Sequence, residues 1–208
     1  MKRLLSLLLA PLLAACTVVG IRSGTEEPPF EVVDRQGEAE IRRYPARLLA
    51  EIEVQAADAR AARNAGFPPL AAYIFGSNSP GERIGMTAPV AQESGERIGM
   101  TAPVAQQGEG QQWRIGFFMP QRYDRASLPA PRDPRITLRE LPATTVAVLR
   151  FNGSTSPASV EAQRARLSTQ LAAGPWAASG EGGAWFYDPP WTLPPARRNE
   201  VWLPVARR

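Results

Sequence analysis

The chain has 208 residues, 24 basic against 20 acidic, with no histidine and one cysteine. Without histidine there is no Ser-His or Cys-His nucleophile pair, and with one cysteine there is no internal disulfide. The length suits one domain with a sizeable core.

The first segment is Met1-Lys2-Arg3, then an almost unbroken Leu/Ala run from Leu4 to Leu13, then Ala14-Ala15-Cys16. A charged start, a short apolar run and small residues before a cut site predict a secretory signal over residues 1–15. The run falls short of the roughly 20 residues a membrane-spanning helix needs. Cys16 directly after Ala14-Ala15 marks the lipoprotein variety, with diacylglyceryl on its thiol. The expectation is a periplasm-facing lipoprotein of the bacterial cell envelope, held to the membrane by lipid at Cys16. Thr17 follows the cysteine where inner-membrane retention would favour aspartate, so the outer membrane is preferred over the inner. Removal of residues 1–15 leaves 22 basic and 20 acidic groups, a net charge of +2. That balance gives no electrostatic case for nucleic acid.

Residues 16–29, with Gly20, Gly24 and Pro28-Pro29, read as a tether, and the folded domain is expected over 30–208. Phe30–Asp34, Ala39–Tyr44 and Leu48–Val54 are strand candidates, the second with strict alternation. Asp58 is placed to cap a helix through Arg63. Gly66 and Pro68-Pro69 interrupt it, and a second piece runs Leu70–Phe75 to Gly76, so one kinked helix or two short ones are expected.

A block then repeats: Gly81–Gln92 recurs unchanged as Gly95–Gln106. Ile84, Met86, Ala88 and Val90 share one side of the first copy, and Ile98, Met100, Ala102 and Val104 one side of the second. Met86 and Met100 at this spacing read as core. The second copy is favoured as the core strand because it leads toward the next hairpin. Further strands are expected at Trp113–Pro120, Arg135–Leu141, Thr144–Phe151, Ala184–Tyr187 and Glu200–Val205. Ser156-Pro157 starts a second helix carrying Val160, Leu167 and Leu171. Arg197-Arg198-Asn199-Glu200 reads as a surface ion-pair cluster or a turn cap. The element order is strands, helix, strands, twice over, which is an α+β domain.

Several separated motifs carry a resemblance. They are Tyr44; Gly66-Phe67-Pro68 with Tyr73-Ile74-Phe75-Gly76-Ser77-Asn78; Ile98-Gly99-Met100-Thr101-Ala102-Pro103-Val104; Phe118-Met119-Pro120; Phe151-Asn152-Gly153; and Tyr187-Asp188-Pro189-Pro190-Trp191 with Arg197-Arg198-Asn199-Glu200-Val201. In this order they resemble the SOUL, or heme-binding protein, family from roughly Phe30 to Val205. The resemblance implies a distorted antiparallel β-barrel with two helices and two pseudo-symmetric halves, similar to effector-binding domains of some transcription regulators. It also implies heme or another tetrapyrrole as ligand, held by Asn64, Phe67, Ala71 and Ala72 on the first helix with Tyr187 across from them.

Histidine, a common axial ligand, is absent, so iron would have to draw on Met86, Met100, Met119, Tyr44, Tyr73, Tyr123 or Tyr187, or on none. Arg63 and Arg60 are the candidate partners of propionates. No metal-ligand cluster and no glycine-rich phosphate loop accompany these residues, so a binding protein is expected rather than an enzyme. Two alternatives are a module for another small hydrophobic ligand and a structural or interaction lipoprotein with no small ligand.

Overall fold

The computed structural model describes residues 25–94, 111–189 and 191–208. The expectations placed on residues 1–15, on Cys16 and on the second repeat copy with Met100 lie outside the described residues. The strands are β1 (Glu31–Gln36), β2 (Ala39–Tyr44), β3 (Arg47–Ala56), β4 (Asn78–Ser79), β5 (Val90–Ser94), β6 (Gln111–Phe118), β7 (Ala130–Pro131), β8 (Ile136–Leu141), β9 (Thr144–Phe151), β10 (Trp176–Ala178), β11 (Gly183–Phe186) and β12 (Asn199–Arg207). The helices are α1 (Ala59–Ile74) and α2 (Pro157–Ala172).

One antiparallel sheet runs β1-β2-β9-β12-β11-β5-β6-β3-β8, with β10 added on β12. Beyond β1 the order is a palindrome. The set β2-β9-β12-β11 mirrors β8-β3-β6-β5, and the halves meet where β11 pairs β5. Each half's outer strand comes from the other half's stretch of chain. β2 leads into β3 but pairs β9, and β8 leads into β9 but pairs β3. The links are alike, Pro45-Ala46 and Pro142-Ala143. Proline fixes φ and keeps the preceding residue extended, whereas a tight hairpin wants Gly or Asn at positive φ. The chain therefore steps between halves at each link instead of turning back on itself.

The expected barrel is thus corrected to an open sheet, because β1 and β8 end it without pairing to each other. The two helices and the antiparallel pairing stand as expected. Ahead of Phe30, Glu26 bridges to Thr87. The Glu26 carbonyl accepts from the Ala88 backbone N–H at 3.0 Å.

α1 packs Leu70, Tyr73 and Ile74 onto Ala50, Ile52, Ile115 and Phe117. α2 packs Leu167 and Leu171 onto Ile41, Ala147, Leu149 and Val201. The sheet's other face holds a third cluster drawn from both halves, with Tyr44, Leu49, Phe118, Val148, Trp185 and Tyr187.

Of the two expected forms, one helix or two short ones, α1 is the single helix, and it runs through Pro68 and Pro69. Mid-helix proline costs about 3 kcal/mol. Burying Leu70, Tyr73 and Ile74 contributes on the order of 1.5–3 kcal/mol each. Asn64 and Ala65, whose carbonyls lose their donors to the prolines, are exposed to water. Gly66 lets the helix sit close, since a Cβ there would lie 2.8 Å from the Ile115 Cβ. At the start, the Asp58 side chain accepts from the Arg60 and Ala61 backbone N–H groups at 2.8 Å each.

The first repeat copy runs into the strand between β11 and β6. Its alternation is broken before β5. Gly85 adopts φ +93, and Met86 beyond it is 41% exposed rather than core, while Ile84 is fully buried.

Candidate functional site

On α1, Asn64, Phe67 and Ala71 recur at helical spacing along one outer face, and Arg60 and Phe75 extend it at either end. Phe67 is 41% and Phe75 57% exposed. The Phe67 ring meets Phe117 edge-on at 5.2 Å between centroids, which steadies it without covering it. Between the two rings Ala71 and Ala72 present only methyl groups. The result is a shallow apolar strip with an exposed guanidinium, Arg60, at one end.

Arg63 is turned away from this strip. Its guanidinium stacks 4.4 Å over Phe186, one end donates to the Gln92 side chain, and the other to the Thr155 carbonyl at 3.1 Å. Burial lowers its pKa to about 10. Arg63 therefore ties α1 to β5 and to the turn before α2, across the junction of the halves. Its hydrogen bonds are spent there, and Arg60 is the cation of the strip.

Tyr187 is separated from the helix residues, because it lies in the cluster on the opposite face of the sheet. Its hydroxyl donates to Glu200 Oε2 at 2.7 Å, and the Arg198 guanidinium lies 3.8 Å over its ring. Glu200 is completely buried. It accepts from both terminal nitrogens of Arg42 at 2.9 and 3.2 Å and from Arg198 at 3.0 and 3.1 Å. Arg198 also reaches the Glu27 carboxylate at 3.0 Å. Burial pushes the Tyr187 hydroxyl well above its ordinary pKa, and the Glu200 charge adds to this, so Tyr187 stays a donor. Burial works against charge on Arg42, but Glu200 outweighs it and the pKa rises.

The segment Arg197–Glu200 is thus no surface cluster where Arg198 and Glu200 are concerned. The strand alternation hid this, since a strand inside a curled sheet is covered on both faces. Arg42, polar in a polar-looking position, carried no sequence signal of burial.

Among the described residues no group of three or more His, Cys, Asp or Glu could hold a metal ion. Nor, among the described residues, does α1 carry a methionine or a tyrosine on its outer face. Tyr73 is on the buried side of α1 with its hydroxyl donating to the Pro129 carbonyl at 2.6 Å, and Tyr123 donates to Glu82 at 2.6 Å. Met119 and Tyr44 are buried. Of the described methionines and tyrosines, Tyr44, Tyr73, Tyr123, Tyr187 and Met119 are thus engaged or buried away from the strip.

A family model described as SOUL heme-binding protein matches residues 25–204. Heme-binding protein 1 of Mus musculus is 28% identical over 183 residues, covering 84% of this chain and 90% of its own length. Heme-binding protein 1 of Bos taurus is 27% identical, covering 84% and 89%. Among solved structures, the EcmrR C-terminal domain superposes with a TM-score of 0.57 at 11% identity, covering 82% of this chain and 98% of that one. A structure titled as a hydrolase from Listeria innocua gives 0.53 at 11%, covering 84% and 94%. At these identities the structural likenesses show the fold alone.

Proposed function

The chain belongs to the SOUL heme-binding protein family, and on that premise we propose that it binds heme or a related tetrapyrrole along the outer strip of α1, as a lipid-anchored protein of the bacterial cell envelope. The observation that carries the ligand is the strip itself, two exposed phenylalanines separated by alanines with Arg60 at the end. A macrocycle laid on Phe67, Ala71 and Phe75 removes apolar surface from water at about 25 cal/mol per Å². Arg60 is placed to meet a propionate, and Asn64 supplies an amide beside it. Bound heme would bring an iron centre whose remaining coordination the strip leaves to solvent or to small molecules. The chain's own part is to hold the ring and orient its carboxylates.

Titration with hemin, followed by the Soret band, tests the reading. Hemin is expected to bind, and metal-free protoporphyrin IX to bind within a few-fold of it, because no residue of the strip ligates iron. Phe67→Ala is expected to weaken both about tenfold, the effect of losing on the order of 1.4 kcal/mol of apolar contact. Equal affinity of Phe67→Ala and the unaltered protein would remove the strip as the site. A strong preference for hemin over the free base favours an iron ligand instead.

The anchor rests on the Leu-Ala-Ala-Cys pattern ending at Cys16. Cys16→Ser is expected to shift the protein from the membrane pellet to the soluble fraction. Continued sedimentation with membranes would overturn lipidation. A second reading, another flat hydrophobic carboxylate on the same strip, is favoured by the absence of iron ligands there. Native mass spectrometry of protein from its own cells separates the two by mass.

A further inference from the structure

On the sheet face opposite α1, the first residue of β3 has an unusual position. The Arg47 guanidinium carbon lies 4.0 Å from the centroid of the Tyr44 ring, 4.9 Å from Phe118 and 5.6 Å from Trp185. Three aromatic faces converge on one cation. Yet its Nε and Nη1 are buried without a hydrogen-bond acceptor. Burial lowers the pKa of Arg47 to about 10. Neighbouring buried cations are treated differently, since Arg42 and Arg198 both donate to Glu200. Arg47 is therefore held by ring faces, by the Tyr44 hydroxyl and by attraction to Glu93, while its Nε–H and one Nη–H group are left without the acceptor that water would supply.

With Arg47 in place, the cage formed with Pro89 and Tyr187 has no room for a water-sized molecule. Directly beside it is an open cleft of about 570 Å³ whose wall includes Pro28, Arg47, Met119, Pro120 and Glu140. Arg47 and Pro28 line both spaces. A rotation about the Arg47 side chain would carry its guanidinium into the cleft, where water and the Glu140 carboxylate are available to its N–H groups. The space left behind would be walled by Tyr44, Phe118, Trp185 and Tyr187, with Glu27 at its rim.

We propose that this cage is a binding site for an organic cation, a substituted ammonium or guanidinium group, and that Arg47 is its displaceable internal occupant. The aromatic faces carry negative potential toward the space, and the Glu93 carboxylate favours a positive charge at the Arg47 position, so the lining selects a cation. An anion seeking Arg47 from the cleft cannot reach Nε or Nη1, which are out of solvent contact. The entering cation replaces one cation with another, so the charge of the cage is conserved. Arg47 recovers hydration in exchange. This site is independent of the strip on α1, and the outcome of a hemin titration leaves it untouched.

Phenyltrimethylammonium is a suitable probe, read by quenching of tryptophan fluorescence and by melting temperature in the full chain. Arg47→Ala is expected to bind it at least tenfold more tightly than the unaltered protein, because the internal competitor is gone. Arg47→Met, which refills the cage without charge, is expected to bind as weakly as the unaltered protein. Benzoate, matched in size and opposite in charge, is expected to bind none of the three. Should Arg47→Ala fold poorly, millimolar phenyltrimethylammonium is expected to raise its melting temperature and to leave that of the unaltered protein in place. Equal affinity in Arg47→Ala and the unaltered protein, a melting temperature unmoved by the probe, or binding of benzoate in preference to it would each overturn the proposal.

Discussion

The two faces of the sheet are built by different rules. The helix-covered face is aliphatic and close-packed, with α1 and α2 each pressed onto its own half. The opposite face belongs to both halves at once and is made of aromatic rings, arginines and the buried carboxylates of Glu51 and Glu200. On the first face stability comes from shape, and the outer surface of a helix is left free for a ligand. On the second, charge and ring faces must satisfy each other out of water, and a small imbalance, such as the two unmatched nitrogens of Arg47, is where the packing is least settled.

The sharpest way to break this contrast is Glu200→Ala. It strands Arg42, Arg198 and the Tyr187 hydroxyl around a missing acceptor, although Arg42 keeps Glu40 and Arg198 keeps Glu27. Removing one partner of a buried ion cluster costs about 3–5 kcal/mol. Urea unfolding followed by tryptophan fluorescence measures it, and a loss below about 1 kcal/mol would show that the charged face is no more demanding than the surface. Gly66→Ala probes the opposite rule, close packing. The added methyl meets Ile115, so a loss of about 1–3 kcal/mol is expected despite the better helix propensity of alanine. A stabilised variant would mean that α1 has room to lift. Phe67→Ala should move stability least, by less than about 1 kcal/mol, since the ring is largely outside the core. Its effect belongs to hemin affinity. A large loss of stability instead would turn Phe67 from a ligand contact into a packing residue.

Much of the fold was legible where one physical signal dominated. Ala39–Tyr44 and Thr144–Phe151 were read with the observed ends, because alternation up to Pro45 marks the first and the Asn152-Gly153 turn ends the second. Asp58 and Ser156 announced both helices, and their capping bonds are present. The signal failed where tertiary contact overrules local preference. Pro68-Pro69 argues for a break that burial of Leu70 and Ile74 prevents, and the three-residue β10 exists only by pairing β12. The helix part of the candidate site was legible as Asn64, Phe67 and Ala71 on one face. Tyr187 was placed with them, but one residue decides the face of a strand. Phe186 points to the helices beneath Arg63, and Tyr187 points away. The arginine and carboxylate cluster was not legible at all, because Arg42 and Glu200 are 158 positions apart in the chain.

The exchange of outer strands at the two Pro-Ala links has a consequence for how the molecule comes apart. A nick between β6 and β8 would yield two fragments, each lacking one strand of its own half and carrying one that belongs to the other. Neither fragment could complete its sheet alone, and neither half of the intact chain can open without pulling an arm out of its partner. The halves are clasped, so they are expected to unfold in a single cooperative step, and the ladders that clasp them join residues about half the chain apart, which makes them slow to close in folding.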